Sequence, residues 1–305
     1  MTMVSIQEIR ASHKLIADFS YDIKNVVNGY SNRTLYINLG NFNIESKPVS
    51  QKMKDTFTGG KGFCLWLLWN GTKPSTLWDD PENELVFSSG PIGGITMYPG
   101  SGKVTVTTIS PLTQSVIDSN GGGYFGPYLK FAGWDALEIQ GKADQEVVIF
   151  IDGDSGRVTI EAAPLDPVDT HLVNSLLTNM YAKDEKDKKN ISVISAGQAA
   201  EYLPICGLNI SYYDPKREEV RYKQAARGGA GTVLRNKHIK AIVVRYSGLS
   251  ANNNDVANME LLRKAESKIN KEITDFDASQ NDMRHTGTPY LVDIMNRFDL
   301  LPTYN

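Results

Sequence analysis

From about Ser31 to Gly248 short apolar runs alternate with glycine-bearing turns, and this rhythm restricts the fold more than any other feature of the sequence. Eight runs, at 34–39, 84–89, 103–109, 136–140, 146–151, 157–163, 190–196 and 240–246, are rich in Val, Ile and Thr and are bounded by Gly, Asp, Asn or Pro, which predicts strands. The stretch "DGDSG" between two of them predicts a hairpin turn, because Asp and Gly tolerate the positive φ of tight loops. Helical signals are fewer. "KGFCLWLLWN" (61–70) is apolar nearly all round and predicts a buried helix. Residues 167–183, with Pro167 near the start and apolar spacing of three and four, predict a second. After "SANNND" the pattern changes to an amphipathic helix with Met259, Leu262, Ile269 and Ile273 near one face, then a short helix around "PYLVDIMNRF". A domain boundary is expected near residue 250.

The 41% hydrophobic and 22% charged content is that of a globular chain, and a net charge of -3 gives no general attraction to polyanions, so nucleic acid is not an expected partner. No apolar run approaches the ~20 residues needed to span a bilayer. Glu8, Arg10 and Lys14 interrupt the N-terminal apolar positions, leaving no leader-like stretch, and the reading is cytoplasmic. Cys64 and Cys206 sit among apolar neighbours and are expected to be buried and inert. His13, His171, His238 and His285 are scattered, so the chain's own side chains offer no obvious metal site. The mixed-charge run 183–190 is expected to be a solvated loop.

Gly121–Gly126 spells G-x-G-x-x-G. A dinucleotide site needs a strand directly before it, a helix after it and an acid about 20 residues on. "QSVIDSN" separates the glycines from the preceding predicted strand, and Asp135 and Glu138 come too early. A phosphate loop at "YPGSGKV" fails because Met97 and Val104 occupy its required glycine and hydroxyl positions. Glycine turns remain at 58–62, 100–102, 121–126 and 227–231, with Lys61, Lys103 and Arg227 beside three of them. Such turns suit close backbone approach to an anionic ligand, and they equally suit hairpin geometry alone.

In order, "FTGGKGFCLWLLWN", "DPENELVFSSGPIGG", "GSGKVTVTTISPLTQ", "SNGGGYFGPYLKFAGWDALEIQGKA", "ARGGAGTVLRNKHIKAIVV" and "GTPYLVDIMNRFDLLPTYN" resemble the blocks of the N-terminal domain of tungsten-containing aldehyde:ferredoxin oxidoreductases. The resemblance implies an α+β chain: an N-terminal extension over 1–30, a β-rich, two-sheet, pterin-binding domain over 31–250, and the first helices of an incomplete helical domain over 251–305. It implies a tungsten bis-pyranopterin, with molybdenum as the alternative metal, held by pterin dithiolenes rather than by protein side chains. Asn120 and Ala199 match positions whose main-chain carbonyls help bind a magnesium between the pterin phosphates, although the block around Ala199 reads "GQAAEY" where the family has "GPAGEN". Lys103 stands where the family commonly has an arginine, and Arg227 matches the arginine of a "GRGG" block. Lys61, Gly121, Gly122 and Gly228 complete the expected cofactor contacts, and no catalytic residue is assigned.

The family's iron-sulfur cysteines and acid-base residues fall beyond residue 305, and no C-x-x-C occurs here. The implied function is the cofactor-binding half of an anaerobic oxidoreductase converting aldehyde and water to carboxylic acid. Electrons would pass to ferredoxin or another carrier through a cluster on a C-terminal half or separate subunit. The alternative is a non-catalytic assembly subunit that kept the fold.

Overall fold

The computed structural model describes residues 6–164, 169–277 and 283–301. The chain divides into two compact units, Met1–Thr96 with Gly100–Asp255 and Met97–Pro99 with Val256–Asn305. The larger begins with α1 (Ile6–Ser12) and β1 (Lys14–Ser20), followed by β2 (Arg33–Asn38), β3 (Asn43–Pro48), α2 (Gln51–Thr56), α3 (Lys61–Gly71), β4 (Leu85–Ser88), β5 (Val104–Ile109), β6 (Val116–Gly121), α4 (Phe125–Phe131) and β7 (Ala136–Gln140). It continues with β8 (Val147–Asp152), β9 (Arg157–Ala162), α5 (Thr170–Tyr181), β10 (Ile191–Ser195), β11 (Leu208–Asp214), β12 (Glu219–Ala225), α6 (Ala230–Asn236) and β13 (Ile239–Arg245).

These strands form two mixed sheets, with orders β3-β2-β7-β4-β5-β6 and β1-β9-β8-β13-β10-β11-β12. Apart from β1 the two are the same arrangement built twice. Each starts with an antiparallel hairpin, crosses over through helical chain (α2 and α3 in the first, α5 in the second) to three antiparallel strands, and returns through a seven-residue helix to a strand parallel to the first. The match extends to detail. Gly126 and Gly231 are each second in their helix and pack on the carbonyl just before β5 and β11, those of Lys103 and Gly207. Gly133 and His238 each take positive φ two residues past the helix.

The layering follows from which strand faces are apolar. Ile242 and Val244 of β13 join Leu137 and Ile139 of β7, Ile149 of β8, and Phe125, Leu129, Val233 and Leu234 of α4 and α6 in one buried cluster, so the two short helices share the core with inward faces of both sheets. The opposite face of β13, Ala241 and Val243, packs with Val173 and Leu177 of α5. Both faces of this strand are covered, which is why "IVV" is unbroken rather than alternating. On the other sheet Cys64 and Leu68 of α3 pack on Val86, each fully buried aliphatic side chain contributing about 2 kcal/mol.

The eight predicted strands and the helix at 61–70 are present, but α3 lies on an outer face and leaves Trp69 83% exposed rather than being buried all round. α5 opens at Thr170 with Asp169 capping the His171 and Leu172 amides; Pro167 lies outside the described residues. Residues 1–30, set apart as an extension, supply β1, which pairs with β9 at the sheet edge. Cys64 is buried, and burial pushes its thiol up to about 12; Cys206 is half-buried, not buried as expected. The run 183–190 is not wholly solvated: Asp187 is buried and accepts from the Lys183 amide and Asn190.

The nucleotide reading also changes. "VIDSNG" is itself β6, so a strand does lead into the glycines and a helix does follow. Its physical obstacle is direction: β6 is an edge strand antiparallel to β5, and β7 lies beyond β4, so no adjacent parallel β-α-β crossover forms.

The smaller unit carries α7 (Met259–Phe276), α8 (Met283–Thr286) and α9 (Leu291–Arg297). The expected amphipathic helix is α7, capped by Asn258 and crossed by ion pairs such as Glu260 with Lys264 at 2.7 Å.

Candidate functional site

Strand register brings the glycine turns of each sheet to one end. Ser88 at the end of β4 faces both Thr105 and Ala136, and Val104 at the start of β5 faces Gly121 at the end of β6. The turns at 58–62, 89–94, 100–103 and 121–123 therefore meet at one edge, with the Gly60 amide donating to the Ser89 carbonyl at 3.2 Å. In the second sheet Ser195 faces Asn209 and Ala241, and Leu208 faces Ala225, which gathers residues 196–207 and 226–229 in the same way.

The two ends interlock. A side chain at Gly121 would strike Ile210 of β11, and one at Gly228, where φ is +66°, would come within 2.6 Å of Ile117 of β6. Ser110 donates to the Gly228 carbonyl at 2.7 Å, and the Arg227 amide donates to the buried Ser119 hydroxyl at 3.1 Å. Only glycine permits this approach of strand to turn.

β6 is thus the spine on which most of the sequence-predicted residues assemble. Lys61 pairs with Asp118 at 2.5 Å, the backbone of Arg227 is tied to Ser119, and Lys103 Nζ donates to Asn120 Oδ1 at 3.1 Å. Asn120, Lys103 and Arg227 are exposed, and the latter two form no ion pair among the described residues. Gly122 meets only the Lys223 stem, at 3.6 Å, and directions from Gly90 and Gly100 open on free space. An anionic ligand would find exposed amides and uncompensated charge there.

Ala199 lies in a 3-10 helix over Gln198–Glu201, where its carbonyl accepts from the Tyr202 and Leu203 amides. No hydrogen bond among the described residues joins Ala199 to Asn120, so the expected pairing on magnesium stays a proposal. Nor do the described residues contain a cluster of three His, Cys, Asp or Glu able to hold a metal, or a helix long and apolar enough to cross a membrane.

Sequence reasoning missed two buried cations beneath these turns. Lys130 of α4, 1% exposed, donates to the Pro91 carbonyl at 2.9 Å and to Asn254 Oδ1 at 2.6 Å, and burial pulls it down to about 7. Arg235 holds the matching place in α6, joined to Glu146 and Glu201. A basic residue sixth in each short helix was the available signal.

Residues 34–246 match the family model described as the aldehyde ferredoxin oxidoreductase N-terminal domain. The tungsten-containing aldehyde ferredoxin oxidoreductase of Pyrococcus horikoshii is 32% identical over 91% of this chain, and that of Pyrococcus furiosus 30% over 90%. The aliphatic sulfonate oxidoreductase WOR-like subunit of Pyrococcus furiosus is 27% identical over 72% of the chain and 35% of its own length. In the solved active-site complex BamBC of benzoyl coenzyme A reductase with 1,5-dienoyl-CoA, one chain superposes with a TM-score of 0.59 at 28% identity, over 72% of this chain and 31% of that one. The chain spans 42% of the length of the first two relatives. With the matched domain covering both repeated sheets and the turns between them, the chain belongs to the aldehyde ferredoxin oxidoreductase family through its N-terminal domain.

Proposed function

We propose that the larger unit seats a tungsten bis-pyranopterin, one pterin on each repeat, as the cofactor-binding part of an oxidoreductase that converts an aldehyde and water to a carboxylic acid. The observation that carries this reading is the duplication: a cofactor with paired pterins meets a protein with paired glycine-lined ends, each bearing an exposed cation with no ion pair among the described residues, Lys103 in the first and Arg227 in the second. Supporting it, the edge is open: directions from Gly90 and Gly100 meet nothing within 4 Å, and Gly122 meets only the Lys223 stem. When bound, the metal with its pterins supplies the two-electron redox chemistry.

The chain's own part is binding and orientation. Lys103 and Arg227 would balance pterin phosphates, Lys103 also fixing the Asn120 side chain so that the main chain at 120–122 faces the ligand. Lys61, held by Asp118, frames the same edge, and Gly228 sets the turn that carries Arg227. Asn120 and Ala199 would offer main-chain carbonyls to magnesium. The iron-sulfur cluster and the route to ferredoxin would belong to polypeptide outside residues 1–305.

The second reading, a non-catalytic assembly subunit that kept the fold, would leave the same two ends without a cofactor. Metal and pterin analysis of the natively purified protein separates the two. Tungsten or molybdenum with pterin, reduced at least fivefold by Lys103→Ala, supports cofactor seating; absence of both from the wild-type protein favours assembly alone.

A further inference from the structure

Lys130 and Arg235 occupy the same place in the two repeats. Each is sixth in a seven-residue helix lying within the core, each is almost wholly buried, and each reaches toward the turn that leaves the strand next to β7 or β13. For Lys130 that turn follows β4: its ammonium binds the Pro91 carbonyl, which the Asn254 amide also holds at 2.7 Å. For Arg235 the turn follows β10: its guanidinium binds Glu201, the last residue of the 3-10 helix that contains Ala199, and is anchored behind by Glu146, itself paired with Lys240 at 2.6 Å.

The partners differ in kind while the geometry is kept. Lys130 uses a carbonyl and a carboxamide, and Arg235 uses two carboxylates. A buried cation is costly unless its hydrogen bonds are made, so burying one twice at matched positions is not explained by packing, which an apolar side chain would serve better. What both placements accomplish is to tie a glycine-containing turn from beneath while its outer side stays open: Gly90 faces free space in the first, and Ala199 is exposed in the second.

We propose that Lys130 and Arg235 are matched positioning residues, each bracing one of the two turns that frame the cofactor seat, Ser89–Gly94 and Gly197–Leu203. Their role toward a cofactor rests on the seat described under the proposed function; the bracing itself does not. Neither residue touches the reacting centre, and each acts through the turn it holds.

The test is hydrogen-deuterium exchange on the purified full chain, with pterin and tungsten content measured on the same samples. Lys130→Met should raise exchange at the Gly93, Gly94 and Ile95 amides at least tenfold and leave Ala200, Tyr202 and Leu203 within twofold; Arg235→Met should do the reverse. Lys130→Arg should restore most of the lost protection. Each Met variant should retain less than half of the wild-type pterin. Equal loosening of both turns, or loosening of β4 and β10 together with them, would overturn the proposal by showing a general structural role, as would no change. If either Met variant does not fold, Asn254→Ala and Glu201→Ala each take away one acceptor with the cation in place and must give the same divided pattern. If the wild-type protein carries neither pterin nor tungsten, the proposed function fails, and the exchange pattern still decides the bracing.

Discussion

The first repeat, β2 to β7, and the second, β8 to β13, share a topology yet differ in where they place charge. At matched register, Glu84 of the first stands where the second has Ile191, and Lys47 stands where the second has Glu161. The second repeat also gains β1 and α1, clasped by Arg10 to Glu161 at 2.6 Å, and Ile9 of α1 packs into the cluster around α5. α3, the counterpart of α5, keeps Trp69 in solvent. The comparison teaches that strand order and the glycine contacts at the ends are the shared requirement, while each half solves its charge and edge problems separately.

The largest effects should come from the interlocked glycines. Gly229→Ala places a methyl group on the Pro204 carbonyl at φ +76° and should cost about 3 kcal/mol or more in urea unfolding. Gly228→Ala, which meets Ile117, should cost about 2 to 3 kcal/mol, whereas Gly123→Ala, with positive φ but no neighbour nearer than 3.8 Å, should cost about 1. Equal losses at 123 and 228 would contradict the close approach of the Gly228 turn to Ile117.

Next in size is a pH effect confined to the first repeat. Burial, and then the neighbouring Glu138 carboxylate, raise Glu84 from 4.5 to about 8. The folded chain thus keeps a proton that the unfolded chain releases, and its contribution to stability, complete below 4.5, is lost as pH rises toward 8. Wild-type stability relative to Glu84→Gln should fall between pH 5 and 7 by up to about 1.4 kcal/mol per unit. A difference independent of pH would remove Glu84 from the account.

Glu161 in the second repeat has the opposite sign. Burial alone would raise it, but hydrogen bonds from His13, Arg10 and Tyr181 prevail and bring it from 4.5 to about 2. The stability it provides is present above 4.5 and lost as pH falls toward 2. Glu161→Gln should cost about 2 kcal/mol at pH 7, less than a fully buried pair because Arg10 is partly exposed, and should loosen α1 and β1 first, which limited proteolysis would report. The smallest stability effect is expected at the site: Lys103→Ala should stay within about 0.5 kcal/mol of wild type while lowering pterin content, since its side chain is exposed.

How far the sequence disclosed this depended on whether a segment's own pattern decides its structure. Runs such as "KAIVVRY" and "EVVIFI" are buried on both faces and are recognisable without context. Five strands escape the pattern: β1, β3, β6 and β12 because "KLIADFS", "NIESKP", "VIDSNG" and "EVRYKQA" are largely exposed or half-exposed and become strands only through their partners, and β11 because "LNISYYD" is buried only in its first half. The duplication was invisible for a related reason: "FGPYLKF" and "AGTVLRN" agree only in a second-position glycine, a fifth-position leucine and a sixth-position cation. The same sparse agreement hid Lys130 and Arg235. The candidate site was legible as glycines with flanking cations, but its assembly along β6 required the register, and Ala199 was legible only through the family resemblance.

The central claim is that two repeated ends seat two pterins around one metal, and the pterin-to-metal ratio of the natively purified protein tests it most directly. The account predicts tungsten or molybdenum with a pterin pair for each metal, and loss of pterin when either Lys103 or Arg227 is replaced by alanine. A single pterin per metal, or metal bound with no pterin, would contradict it.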